Sequence, residues 1–311
     1  MKFLNIFWNY KLRRLRLVPR LILYVLFYLL SYIGLSILVR LTGAFSLTGS
    51  LIASGIIEAV LTLLVVWSAG KLLDRRPFAE FGFHLNRRWF EDLCFGLALG
   101  AGLMAVIFLF EWAMGWISIT EFFGTNTMDS FIPTRAYFWS QFFQALVFYF
   151  LAAFSEELFF RAYPFINLLE GFQKIKIKRE LVAWLAAGLT SAVFGLAHMG
   201  NPHATWISTL NIFFAGLMLC IGFIYSKQAA LSIGLHFTWN FFQGVIFGFP
   251  ISGTISPANL IRINQQGPEL LTGGSFGPEA GLVGLAVMLL GSFVIIRYLK
   301  RRQTFEEQPP L

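Results

Sequence analysis

Phe142-Phe143-Gln144-Ala145-Leu146-Val147-Phe148-Tyr149-Phe150-Leu151-Ala152-Ala153-Phe154-Ser155-Glu156-Glu157-Leu158-Phe159-Phe160-Arg161 is the stretch that decides how this chain is read. An apolar run long enough to lie deep in a membrane helix leads directly into two adjacent carboxylates and an arginine. Charge at that depth is costly unless it is paired or functional, so the cluster is a candidate site by default. The rest of the sequence is then searched for polar groups on other helices that could meet it.

The composition agrees with a membrane setting. Of 311 residues, 57% are hydrophobic and only 13% charged, against about 25% charged in ordinary soluble domains. A net charge of +8 raises nucleic acid as a partner, but the charges do not form a basic stripe. They cluster beside apolar spans: Lys2, Lys11, Arg13, Arg14, Arg16 and Arg20 before the first, Lys71, Arg75, Arg76, Arg87 and Arg88 after the second, Lys174, Lys176, Lys178 and Arg179 after the Glu-Glu segment, and Arg297, Lys300, Arg301 and Arg302 after the last. That is the positive-inside pattern of a multi-pass protein, and no nucleic acid is expected.

A span needs about 20 mainly apolar residues. About eight spans follow, near 21–39, 50–69, 93–115, 137–165, 181–199, 205–226, 229–249 and 280–298. The first lacks a cleavage pattern and reads as a retained anchor. The basic segments then fall on one side, which places both termini in the cytoplasm and suits a plasma membrane. The other side carries only Arg40, Arg135 and Arg262 in its connecting segments. The expected fold is all-α: one integral membrane domain over 1–311, with a basic cytoplasmic segment at 1–20 and a cytoplasmic tail at 299–311. Residues 1–20, basic with Phe3, Ile6, Phe7 and Trp8, suit an interfacial helix. The Gly- and Pro-rich segment 250–279 reads as a loop, or a loop with a short re-entrant part. Cys94 and Cys220 fall in spans, and no spacing pairs them.

Helix positions four apart share a face. Glu157 and Arg161 can therefore pair, while Glu156 points elsewhere and stays available as a general acid or base. Phe194-Gly195-Leu196-Ala197-His198 lies near the end of the fifth span. His236-Phe237-Thr238-Trp239-Asn240 places a histidine and an asparagine on one face of the seventh. Alone, either histidine reads more often as helix–helix hydrogen bonding than as a catalyst, and Asn240 as interhelical glue; the alternative for the acidic pair is an ion cluster that fixes helix packing. Glu58 and Glu111 are weaker candidates, Glu111 as an interfacial group and Glu58 as a protonated or locally bonded one. His203 and His84 read as solvated loop residues. Ser155 adjoins Glu156, but no base stands four residues from it. One mismatch of depth appears: at 1.5 Å per residue, Glu156 lies about 15 Å from the basic end of its span, His236 about 10 Å and His198 about 25 Å. The site is expected in the half that faces the basic loops.

Taken in order, Glu156-Glu157-x-x-x-Arg161, Phe194-x-x-x-His198 and His236-x-x-x-Asn240 resemble the three motifs of the CPBP family, the CAAX-protease and bacteriocin-processing (Abi) membrane proteins that include the type II CAAX prenyl endopeptidases. The resemblance covers roughly 136–249, the expected catalytic core. It implies an all-helical intramembrane protease in which Glu156 and His198 activate a water, His236 and Asn240 stabilise the oxyanion, and Glu157 with Arg161 orients the first helix. It implies a membrane-associated or prenylated peptide as substrate within the lipid bilayer. It also raises zinc as a cofactor, which Glu156, His198 and His236 would hold; a glutamate protease without a permanent metal is the preferred reading. Two alternatives share these residues: an ion- or proton-coupled transporter, and a non-catalytic scaffold or immunity protein of the same fold.

Overall fold

The computed structural model describes residues 7–10, 12–42, 50–126, 134–173 and 176–303. Lys2, Phe3, Ile6, Lys11 and Lys174 lie outside the described residues, as does 304–311 of the expected tail. The fold is an all-α, multi-pass arrangement. Among the described residues, seven helices are long and apolar enough to cross a membrane.

The first helix, α1 (Leu17–Thr42), is apolar on all sides and packs little of itself against the rest. A helix of that kind faces lipid. Before it, Trp8–Asn9 (β1) pairs with Arg14–Leu15 (β2), so the described part of the N-terminal segment is a small antiparallel ribbon and not the interfacial helix expected. Helix α2 (Leu51–Ala69) continues as a π-helical turn, Gly70–Asp74. Helix α3 (Arg87–Ala113) starts where the Asn86 side chain accepts the Trp89 N–H at 3.0 Å, a side-chain N-cap.

Strand β3 (Ile117–Thr125) follows, and then one long helical run: α4 (Thr134–Glu156), a π turn at Glu157–Ala162, and α5 (Tyr163–Phe172). The run extends seven residues beyond the expected end at 165. Helices α6 (Arg179–Ala197) and α7 (Trp206–Ser226) form an antiparallel pair, and α7 opens on a capping box between Thr205 and Ser208. Gly216 lets α7 approach Ser191 of α6, at a separation that a Cβ would not permit.

The helix that carries the third motif, α8 (Ala230–Phe241), is shorter than the span expected at 229–249. It runs on as a π turn, Phe242–Ile246. It is sheathed by other helices, and of its twelve residues only Phe237 and Asn240 are not buried. Its closest neighbour is α3. A Cβ at Gly96, Gly100 or Gly234 would collide with the backbone carbonyls of Leu231, Leu235 and Leu93 respectively. These small residues bring the two backbones into contact, which fixes the height and rotation of His236 and Asn240.

Residues 250–281 are more structured than a loop. They contain β4 (Ala258–Gln265), which pairs antiparallel with β3 in a register running from Ile117↔Gln265 to Thr125↔Ala258. No closed sheet results. Glu111, expected at an interface, is buried and accepts from Gln265 Nε2 at 2.6 Å. The last helix, α9 (Leu282–Gln303), returns to the basic end, where Arg302 bonds Asp92 and Glu91 of α3.

Candidate active site

The π turn at Glu157–Ala162 follows directly after Glu156. Such turns insert one residue into a helix and occur frequently at functional sites. Here Glu157 and Arg161 are 0% and 1% exposed. Arg161 Nη1 donates to Glu157 Oε1 at 2.5 Å, which confirms the expected pairing. The Arg161 guanidinium also lies over the Phe194 ring at 4.1 Å. A cation held by a carboxylate and an aromatic face is a stable way to keep a charge in an apolar interior.

Glu157 has a second partner. His236 Nδ1 lies 2.8 Å from the same Oε1. The acidic group expected only to steady its own helix therefore also sets the ring orientation of His236. With Nδ1–H directed at Glu157, Nε2 faces Glu156 Oε2 at 3.7 Å. That distance is beyond a direct hydrogen bond. Glu156 Oε2 is buried, and it has no hydrogen-bond partner among the described residues.

His198 sits in the 3-10 turn that ends α6. Its Nδ1 lies 2.8 Å from the carbonyl oxygen of Phe194. A ring that donates from Nδ1 leaves Nε2 as the free nitrogen. Glu156, His198, His236 and Asn240 all line one cavity of about 220 Å³, whose walls include Phe148, Phe194, Leu219, Trp239 and Met288. The structure thus gathers the four sequence-derived candidates. The imidazole nearest to Glu156 is His236 rather than His198, which lies elsewhere on the cavity wall.

The longer helical run brings the depth of Glu156 close to that of His198, while His236 stays about 9 Å from the start of the shorter α8. Measured to Phe172, Glu156 lies about 24 Å from the basic end; His198 lies about 28 Å from the start of α6. On its own run Glu156 lies about 24 Å from Phe172 and about 33 Å from Thr134, near mid-depth, whereas His198 closes α6 at the end away from the basic clusters. Asn201, Ile251, Ser252 and Thr254 of the connecting segments at that opposite end also line the cavity.

Two further carboxylates belong to the cavity. Glu58 of α2 lines it and lies close enough to Glu156 for their charges to interact. Its polar character inside an apolar span was the signal that marked it. Glu279 had no such signal, because it lies in a Gly- and Pro-rich segment. It is buried, accepts from Ser252 N at 2.5 Å and Ser252 Oγ at 3.0 Å, and is bonded by Gln243 Nε2. Burial pushes its carboxyl above the ordinary range, and its hydrogen bonds partly offset that. His203 is exposed, has a left-handed backbone (φ 59°) and does not line the cavity. His84 is exposed near Gln228.

Among the described residues, no three His, Cys, Asp or Glu side chains stand close enough together to hold a metal ion. Glu156, His198 and His236 share a cavity but not a coordination sphere, so as they stand they do not fit a zinc centre. Cys94 and Cys220 are both free thiols.

Residues 138–242 match the family model described as Type II CAAX prenyl endopeptidase Rce1-like. The match spans all three motifs, and the resemblance read from them is borne out. No curated protein and no solved structure matches the chain.

Proposed function

We propose that this protein is an intramembrane endopeptidase that hydrolyses a peptide bond of a membrane-associated substrate, with Glu156 as the group that activates water. The observation that carries this reading is the Glu156 carboxylate: a buried oxygen with no hydrogen-bond partner among the described residues, in a cavity shared with His198, His236 and Asn240. The likeness to type II CAAX prenyl endopeptidases over 138–242 supports the same reaction class.

In the proposed reaction, a water between Glu156 and His198 gives a proton to Glu156 as its oxygen bonds the scissile carbonyl carbon. The carbonyl π electrons move to oxygen. Asn240 donates its amide N–H to that oxyanion, and His236 does so from Nε2 when it carries both protons. The C–N bond then breaks, and the leaving amine takes the proton from Glu156. The sum is addition of one water, and Glu156 ends as it began. Glu157 acts through His236, and Arg161 balances its charge.

A cavity of about 220 Å³ is below the roughly 300–1,000 Å³ of sites that enclose a drug-sized ligand. It suits a short extended peptide segment with an apolar side chain beside the scissile bond; a prenyl chain on the substrate would rest in the surrounding lipid. The catalytic unit is residues 136–249 within one membrane domain. The charge distribution supports cytoplasmic termini and suits a plasma membrane with an anionic inner face. The test is the protein purified in detergent, incubated with membrane-anchored and prenylated CAAX peptides. Cleavage that disappears with His198→Ala supports the assignment. Proton-coupled flux in liposomes without cleavage would replace it with the transporter reading.

A further inference from the structure

The position of the cavity says from which face a substrate must come. On α2, Glu58 lies about 10 Å from the Leu51 end and about 24 Å from the Asp74 end. His198 lies in the turn that closes α6 at the end away from the basic clusters. The cavity mouth is built by segments of that same end: Asn201 donates to the Ser252 carbonyl at 3.1 Å, and buried Glu279 holds Ser252 from the other side.

Toward the basic end the path is filled. Leu158, Ala162, Tyr163, Phe223, Ala229 and Ile233 are all buried and pack in one cluster. The base of α8 is tied down by the Ala229 N–H, which donates to the Gly82 carbonyl at 3.0 Å. Beyond lies a network in which Arg14, Arg20 and Arg76 bond Asp74 and Glu170. This network joins the N-terminal segment, the end of α2 and the end of α5.

The positive-inside rule assigns the basic face to the cytoplasm. We propose that the substrate enters from the other, non-cytoplasmic face, so that the cleaved segment belongs to a peptide or membrane protein displayed there and not to a cytoplasmic prenylated tail. This rests on the endopeptidase reading and narrows its substrate class. The segment is extended where it is cut and places an apolar side chain against Phe148, Phe194 and Trp239.

The test has two arms on the full chain. In a Cys94→Ser, Cys220→Ala background, Thr254→Cys marks the exposed cavity rim and Arg87→Cys the basic end. A membrane-impermeant maleimide applied to intact cells is expected to label Thr254→Cys and to reach Arg87→Cys only after lysis. The reverse pattern overturns the proposal. In the second arm, oriented vesicles receive single-span reporter peptides with an apolar cleavable segment on one face or the other. Cutting is expected only for the segment on the rim side. If both reporters are cut in detergent but only the basic-side reporter is cut in vesicles, this proposal fails and the endopeptidase reading stands. If neither is cut in detergent, the endopeptidase reading fails and this proposal with it.

Discussion

Arg161→Met is the substitution that most sharply tests how charge is held in this interior. It deletes the guanidinium that faces Glu157 at 2.5 Å in a place where both are almost fully buried. Removing one member of a buried pair costs about 3–5 kcal/mol, because the other charge is left uncompensated. At about 1.4 kcal/mol per factor of ten, that is roughly two to three and a half orders of magnitude in the folding equilibrium. Adding Glu157→Gln removes the stranded charge. The new amide still offers an oxygen to His236 Nδ1, so the ring keeps its orientation. The double variant is expected to recover about 1–3 kcal/mol over Arg161→Met. The assay is unfolding by SDS titration from mild detergent, followed by helicity. An Arg161→Met variant within about 0.5 kcal/mol of the parent, the range of neutral surface changes, would refute the buried-pair reasoning. So would a double variant no more stable than Arg161→Met.

Glu279→Gln tests the mouth through pH. The Glu279 carboxyl is held above the ordinary glutamate value of about 4.3. Its contribution is therefore full below that value and is lost as pH rises through the raised one. The parent should lose thermal stability relative to Glu279→Gln as pH rises above about 4.3, whereas equal slopes would contradict the assignment. Gly253→Ala should loosen the same rim: Gly253 has φ 84°, and a Cβ there would collide with the Pro202 carbonyl oxygen. Its effect is expected in KM for the reporter more than in kcat, and a variant with unchanged KM would count against a rim role. Asn240→Ala should lower kcat by about 10²–10³, the usual cost of an oxyanion donor, with KM within a few-fold of the parent in steady-state cleavage.

The motifs were legible because each needs only local spacing. Glu157 and Arg161 lie one turn apart, and His236 and Asn240 likewise. The basic clusters gave the alternation of spans for the same reason. What sequence spacing could not supply was long-range. The bond from His236 to Glu157 joins residues 79 apart in the chain, and β3 pairs with β4 across a separation of about 140. Neither leaves a local pattern. Glu279 is visible only once Ser252 and Gln243 are seen to converge on it. The extension to Phe172, past the expected end at 165, sets Glu156 deeper than its sequence position suggested. Gly96 and Gly100, four apart on α3, carried a readable signal of close helix contact, and α8 is what they contact.

The central claim is that Glu156, and not its neighbour, takes the proton from water. Its most direct test is the single-turnover cleavage rate of purified Glu156→Gln on a membrane-anchored peptide, with folding checked by the SDS titration. Loss of a positioned general base costs typically 10²–10⁴-fold, and a loss of at least that size in a variant as stable as the parent is expected. A folded Glu156→Gln that cleaves within a few-fold of the parent rate would contradict the account.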